Sequence, residues 1–162
     1  QNNSRACSFF LLFSFTKLFA LPGIRLGFGI GPRKLIAAME KHRDPWSVNV
    51  MAQRAGEKCL QEREYVTKSI AYIEKEKINL REGLGTIKGM KVYPSTVNFM
   101  LCNLKETGVK AVSLAQRMAE KRILIRDASN FPGLDPYFIR LAVRLPQENE
   151  QLIKVMKEAL IT

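Results

Sequence analysis

The stretch Ser14-Phe-Thr-Lys-Leu-Phe-Ala-Leu-Pro-Gly-Ile-Arg25 places a lysine, preceded by two hydroxyls and followed by an arginine, just after the apolar run Phe9-Phe-Leu-Leu-Phe13. The run predicts a short buried strand over 9–13, and Pro22-Gly23 marks a turn in the loop that follows. Residues 26–30, apolar and spaced by glycines, predict a second strand with close backbone approach. A lysine at the mouth of such a strand has two readings. It snorkels its ammonium to water along apolar neighbours, or its amine is paired or chemically used, because a buried unpaired charge is costly.

The 162 residues are enough for one ordinary domain, or for a small domain plus part of another. Apolar content of 46% and charged content of 25% suit a folded chain. The net charge of +11 raises the question of nucleic acid. The basic residues are dispersed, however, and some alternate with acids, as in Glu74-Lys75-Glu76-Lys77, which reads as a solvated helix face. No zinc-finger spacing, RNA-binding aromatic signature or basic tail accompanies them, so the pattern gives no nucleic-acid partner. Cys7, Cys59 and Cys102 are far apart and His42 is the sole histidine, which excludes a Cys/His zinc site and fits a reducing, cytoplasmic compartment. Arg5 and the apolar residues after it imitate a signal peptide, but Lys17 interrupts the run and Leu21-Pro-Gly is a poor cleavage site. The run is also shorter than the roughly 20 residues of a membrane span. The expectation is a piece of a longer protein.

Further along, Pro32 opens a helix to about Arg43, Asp44-Pro45 breaks it, and Ser47 is the N-cap of a helix over 48–61. A long helix over 62–84 carries Val66, Ile70, Ile73, Leu80, Leu84 and Ile87 on one face, with Gly83, Gly85 and Gly89 ending it. Strands near 90–93 and 97–102, a helix over 109–121, strands at 123–126 and 137–143, and a helix over 147–161 complete an α+β pattern. The first 45 residues resemble the end of an α/β sheet domain and are too few to cover both faces of a parallel sheet.

Two of these strands carry arginines. Alternation puts Ile139, Leu141 and Val143 on one face and Arg140, Ala142 and Arg144 on the other; Ile123 and Ile125 likewise oppose Leu124 and Arg126. Guanidinium stays charged, so inward arginines need anionic partners. A salt bridge to a core carboxylate, an exposed sheet face and an anion site all satisfy the pattern, and arginine is the usual bidentate receptor for carboxylate and phosphate.

SFTKLFALPGIRLGFGIG resembles the lysine motif of fold-type-I pyridoxal-phosphate enzymes, in the histidinol-phosphate aminotransferase branch. The resemblance implies that the cofactor, pyridoxal 5'-phosphate, attaches to Lys17, the catalytic residue, and that Ser14 and Arg25 help cradle its phosphate. A lysine beside a cationic arginine and a desolvating wall would have a depressed pKa and a nucleophilic amine. DPWSVNVMAQRAG (44–56), ILIRDASNFPGL (123–134) and YFIRLAVRLPQENEQL (137–152) are similar to the threonine-phosphate decarboxylases, which make aminopropanol phosphate for cobalamin biosynthesis. There Ala142-Val143-Arg144 stands where the aminotransferases more often have a Thr-Val-Gly type sequence. The resemblance implies that Arg140 binds the substrate α-carboxylate and Arg126 its carboxylate or phosphate.

The resemblance covers about Phe9 to Leu160, and QNNSRACS at the start matches poorly. In the family, the aspartate, the Asn/Tyr pair and the helix N-terminus that complete the cofactor site all precede the lysine. The implied fold is therefore α/β, the C-terminal part of a fold-type-I enzyme: 1–45 the end of the large cofactor-binding domain, 46–61 a connecting helix, 62–162 the small α+β domain. The implied activity is decarboxylation of L-threonine O-3-phosphate by a cytoplasmic homodimer acting on a small phosphorylated amino acid, with no nucleic-acid or membrane partner. The alternatives are histidinol-phosphate transamination and a catalytically inactive small-domain remnant serving as a binding module.

Overall fold

The computed structural model describes residues 9–161; Cys7 and the poorly matching QNNSRACS segment lie outside the described residues. The described chain forms two compact units, one up to Ser69 and one from Ile70.

In the first unit, β1 (Leu11–Ser14) pairs antiparallel with β2 (Gly27–Ile30), in a register running from Leu11 opposite Ile30 to Ser14 opposite Gly27. The expected strands are present, but they form an antiparallel hairpin. Gly27 is needed there: a Cβ on it would lie 2.5 Å from the Phe13 carbonyl oxygen. The segment expected as a loop is ordered by a single helical turn, α1 (Phe15–Leu18), and a 3-10 turn at Pro22–Ile24. Two further helices follow, α2 (Arg33–Glu40) and α3 (Val50–Gln61), and then α4 (Arg63–Gly85), which continues into the second unit. Asn49, not Ser47, caps α3, its Oδ1 accepting from the Ala52 N–H at 2.8 Å. The expectation of a buried β1 is corrected. Leu11, Leu12 and Phe13 are all exposed, and among the described residues of this unit only Phe15, Ala52 and Gly56 are buried.

The second unit is a sheet with helices against one face. Its strands are β3 (Lys91–Val92), β4 (Phe99–Asn103), β5 (Arg126–Asp127) and β6 (Phe138–Ala142), ordered β3-β4-β6-β5 and all antiparallel. Alternation works as the pattern predicts: Met100 and Cys102 of β4 and Ile139 and Leu141 of β6 are fully buried. Against them pack Leu80 and Leu84 of α4, Leu114 and Met118 of α5 (Ala111–Glu120), and Leu152 and Met156 of α6 (Pro146–Ile161).

Three local expectations change. Gly83 does not end α4; a Cβ there would collide with Ile153 Cδ1, so the glycine lets α4 and α6 approach closely. Residues 123–125 are not strand, because Ile123 N–H is already bonded to Met118 O at 3.0 Å in finishing α5. The Glu74–Lys77 run is not wholly solvated. Lys77 pairs with Glu74 at 2.6 Å, and Glu76 is only 3% exposed, four residues before Leu80 on the inward stripe. Its carboxylate accepts from Asn79 Nδ2 at 3.0 Å and from Asn149 Nδ2 at 3.2 Å. Asn149 also donates to the Arg144 carbonyl and accepts from the Arg144 N–H, both at 3.0 Å, tying α4, α6 and the end of β6 into one buried network.

Candidate active site

Lys17 sits in α1, the single turn that the chain makes on leaving β1. Ser14 caps that turn: its Oγ accepts from the Thr16 N–H at 3.3 Å and donates to Thr16 Oγ1 at 2.8 Å. Thr16, whose role the sequence left unassigned, thus brings a second hydroxyl to this turn. The Phe15 N–H bonds the Leu26 carbonyl at 3.1 Å and extends the hairpin by one rung. Arg25, immediately before Leu26, is at φ +58°, a left-handed conformation that costs a side-chain-bearing residue backbone energy. Its guanidinium folds back onto the Pro22 carbonyl at 2.9 Å and keeps its remaining N–H groups free. Ser14, Lys17 and Arg25 thus gather at one end of one hairpin.

The chemistry of this donor set is specific: a primary amine, hydroxyls and a guanidinium, suited to a carbonyl compound that carries a phosphate. Among the described residues Lys17 makes no ion pair, and it is exposed. The apolar groove of about 390 Å³ beside α1 is lined by Phe13, Phe15, Phe19 and Phe28 and does not include Lys17.

The second set of candidates lies in the second unit. The ladder between β5 and β6 puts Arg126 directly opposite Arg140, so both side chains leave the same, outer face of the sheet. Like charges directly opposed across strands repel. Among the described residues no carboxylate relieves them: Arg140 lies over the Phe99 ring, 4.9 Å from its centroid, while Arg126 lies over Phe131 at 5.6 Å and donates to Asn130 Oδ1 at 3.0 Å. These aromatic contacts favour the cations without neutralising them. Two guanidinium groups that leave directly opposed positions of one sheet face can receive an anion. The sequence could not show Phe99 and Phe131, because both contacts depend on tertiary placement.

Arg144 differs from these two. It lies beyond the end of β6, and Glu148 holds it bidentately, Nη2 to Oε1 at 2.7 Å and Nε to Oε2 at 3.2 Å. The Arg144 hydrogen bond, and then the Leu145 N–H, hold the Glu148 carboxyl below its ordinary range. Among the described residues no group of three or more His, Cys, Asp and Glu side chains could hold a metal ion, and no helix is long and apolar enough to cross a membrane.

Residues 2–156 match the family described as aminotransferase class I and II. The chain is 39% identical over 148 residues to a Caldanaerobacter subterraneus subsp. tengcongensis protein that bears the provisional name threonine-phosphate decarboxylase, covering 91% of this chain and 40% of that one. The histidinol-phosphate aminotransferase of Clostridium acetobutylicum superimposes with a TM-score of 0.88 at 33% identity, over 94% of this chain and 46% of that one. The histidinol-phosphate aminotransferase of Sinorhizobium meliloti, solved in complex with pyridoxal-5'-phosphate, shares the fold with a TM-score of 0.81 at 21% identity, over 94% of this chain and 41% of that one. The chain spans less than half the length of each of these proteins.

Proposed function

We propose, from the premise that this chain belongs to the aminotransferase class I and II family, that the intact enzyme uses pyridoxal 5'-phosphate to decarboxylate L-threonine O-3-phosphate to aminopropanol phosphate. The observation that carries this reading is the directly opposed Arg126 and Arg140, a cationic pair without a carboxylate partner among the described residues. A small substrate with a carboxylate and a phosphate supplies the anions that the pair lacks.

The residues around Lys17 fit the cofactor by their chemistry. Ser14, Thr16 and Arg25 would hold its phosphate, and the Lys17 Nζ would hold its carbonyl carbon. When bound, the cofactor supplies an electron sink for the electron pair released at the substrate Cα. Arg140 fixes the α-carboxylate, and that choice of anchor sets which bond at Cα is presented for cleavage. Arg126 neutralises the second anionic group. The Lys17 amine, once free, gives or takes the proton at Cα. The 39% identity to the Caldanaerobacter protein supports decarboxylation. Arg144 does not add to this support as its sequence position suggested, since Glu148 already occupies its guanidinium.

Transamination of histidinol phosphate is the second reading, favoured by the 33% identity and close superposition of the Clostridium enzyme. In either case the family resemblance points to a homodimer. The test is a competition on the intact enzyme, following CO₂ release from threonine phosphate and amino transfer from histidinol phosphate to 2-oxoglutarate. CO₂ release should dominate; efficient amino transfer without CO₂ overturns the decarboxylase assignment. Borohydride fixation of the cofactor and peptide mapping should place the label on Lys17, and a label on another lysine removes Lys17 from the site.

A further inference from the structure

Arg126 and Arg144 each meet a side chain four residues further on, with opposite results. Glu148 gives Arg144 a carboxylate and a bidentate ion pair. Arg126 meets an amide. Its Nη2 donates to Asn130 Oδ1 at 3.0 Å, and among the described residues its side chain makes no other hydrogen bond. An acid stands closer in sequence but serves elsewhere. Asp127 pairs with Ile139 in the ladder, so alternation sends it to the face opposite Arg126, and its Oδ1 accepts from the Ser129 N–H at 2.8 Å. That bond belongs to a run of turns that sets where Asn130 stands. The buried Ala128 donates to the Phe138 carbonyl at 2.9 Å, and the Phe131 N–H returns to the Ala128 carbonyl at 3.1 Å. The row across the sheet reads Leu101, Arg140, Arg126, without an acid in it.

We propose that Asn130 is a positioning residue for Arg126, ordering its guanidinium through a neutral acceptor so that the full charge stays available to the substrate's anion. An arginine side chain loses rotamer freedom when it takes a ligand, and ordering it beforehand lowers that cost. A carboxylate at the same place would order it as well but cancel its charge, as Glu148 does to Arg144. The amide does the first without the second. The assignment rests on the proposed role of Arg126 and Arg140 as receptor for the substrate's anions, and adds the residue that prepares one of the two.

The test is an NMR titration of the 162-residue chain with O-phospho-L-threonine at low salt. Asn130 is exposed, so neither substitution below opens the core. Asn130→Ala removes the acceptor and should weaken binding by about three- to tenfold, the worth of one modest hydrogen bond. Asn130→Asp keeps the acceptor and its reach but adds a charge. It should weaken binding by about ten- to a hundredfold, the loss of one charge-assisted contact. A residue that only shaped the loop would give the reverse order, because the near-isosteric aspartate would preserve the fold better than alanine. If Asn130→Ala binds within twofold of the parent, or Asn130→Asp binds as tightly as Asn130→Ala, the role of Asn130 is overturned. Losses in Arg126→Ala and Arg140→Ala would then leave the anion pair standing. If those two variants bind like the parent, or the parent chain does not respond at tens of millimolar, the anion pair falls and the role of Asn130 with it.

Discussion

Replacing Asn149 by alanine should cost the second unit about 4 kcal/mol. Asn149 is 3% exposed and uses both ends of its amide: to the Glu76 carboxylate at 3.2 Å, to the Arg144 carbonyl at 3.0 Å and from the Arg144 N–H at 3.0 Å. Two neutral hydrogen bonds are worth about 1 kcal/mol each and one to a charged group about 1.5–3 kcal/mol. The substitution also leaves the buried Glu76 with Asn79 as its remaining side-chain donor. Set against a domain stability of about 5–15 kcal/mol, the loss is large. Native-state hydrogen exchange at the Met100, Ile139 and Leu141 amides reads the stability of this unit alone. A cycle of Asn149→Ala, Glu76→Ala and the double variant should show a coupling of about 1.5–3 kcal/mol. A single-variant loss under about 1 kcal/mol, or a coupling near zero, would refute the inference that this network joins the helices to the end of β6.

Glu148, with its pKa lowered first by the Arg144 hydrogen bond and then by the Leu145 N–H, adds stability that is present above the unfolded glutamate pKa and lost as pH falls through the lower folded value. Its side-chain NMR titration should have a midpoint below that of an unstructured glutamate, and an equal or higher midpoint rules the pairing out. Burial pushes the Cys102 thiol up to about 12. A thiol reagent at mildly alkaline pH should therefore spare Cys102 in the folded chain while labelling the partly exposed Cys59; labelling of both at equal rates contradicts the packing. Gly89→Ala should destabilise more than Gly108→Ala. Both sit at positive φ, but a Cβ at 89 lies 3.0 Å from Glu106 C and Thr107 N, whereas position 108 is open. The conformational penalty common to both is about 1–2 kcal/mol, and urea melts showing the reverse order would contradict the predicted contact at position 89.

What could be read from the sequence was what one segment's periodicity decides. Ile139, Leu141 and Val143 alternate with Arg140 and Ala142, and that pattern alone gave the faces of β6. The Leu80–Leu84 stripe gave the inward side of α4 in the same way. Glu76 was misread because its charged neighbours hid it, although it stands one helical step before Leu80 on the same face. The shortening of β5 depended on how α5 terminates, and Arg122 in a glycine-like conformation gives no compositional warning. The placement of Arg126 opposite Arg140 needed ladder register, which no single strand contains. The exposure of Lys17 was not legible either. Desolvation belongs to the surroundings of a side chain, and an apolar run before it does not specify what those surroundings are.

Both outer strands of the second unit's sheet, β3 and β5, are two residues long, while the inner β4 and β6 are five each. So short an edge offers an incoming chain too few free backbone groups to dock on, and the sheet is closed to growth without being closed into a barrel. Among its described residues the first unit has no such guard. Its hairpin ends in four-residue edges, and Leu11, Leu12 and Phe13 stand in water with no charge among them. Crowding, heat or long storage would thus act unequally on one polypeptide: any fibrillar or clumped material would be seeded from the hairpin, while the four-stranded sheet stayed inert inside it.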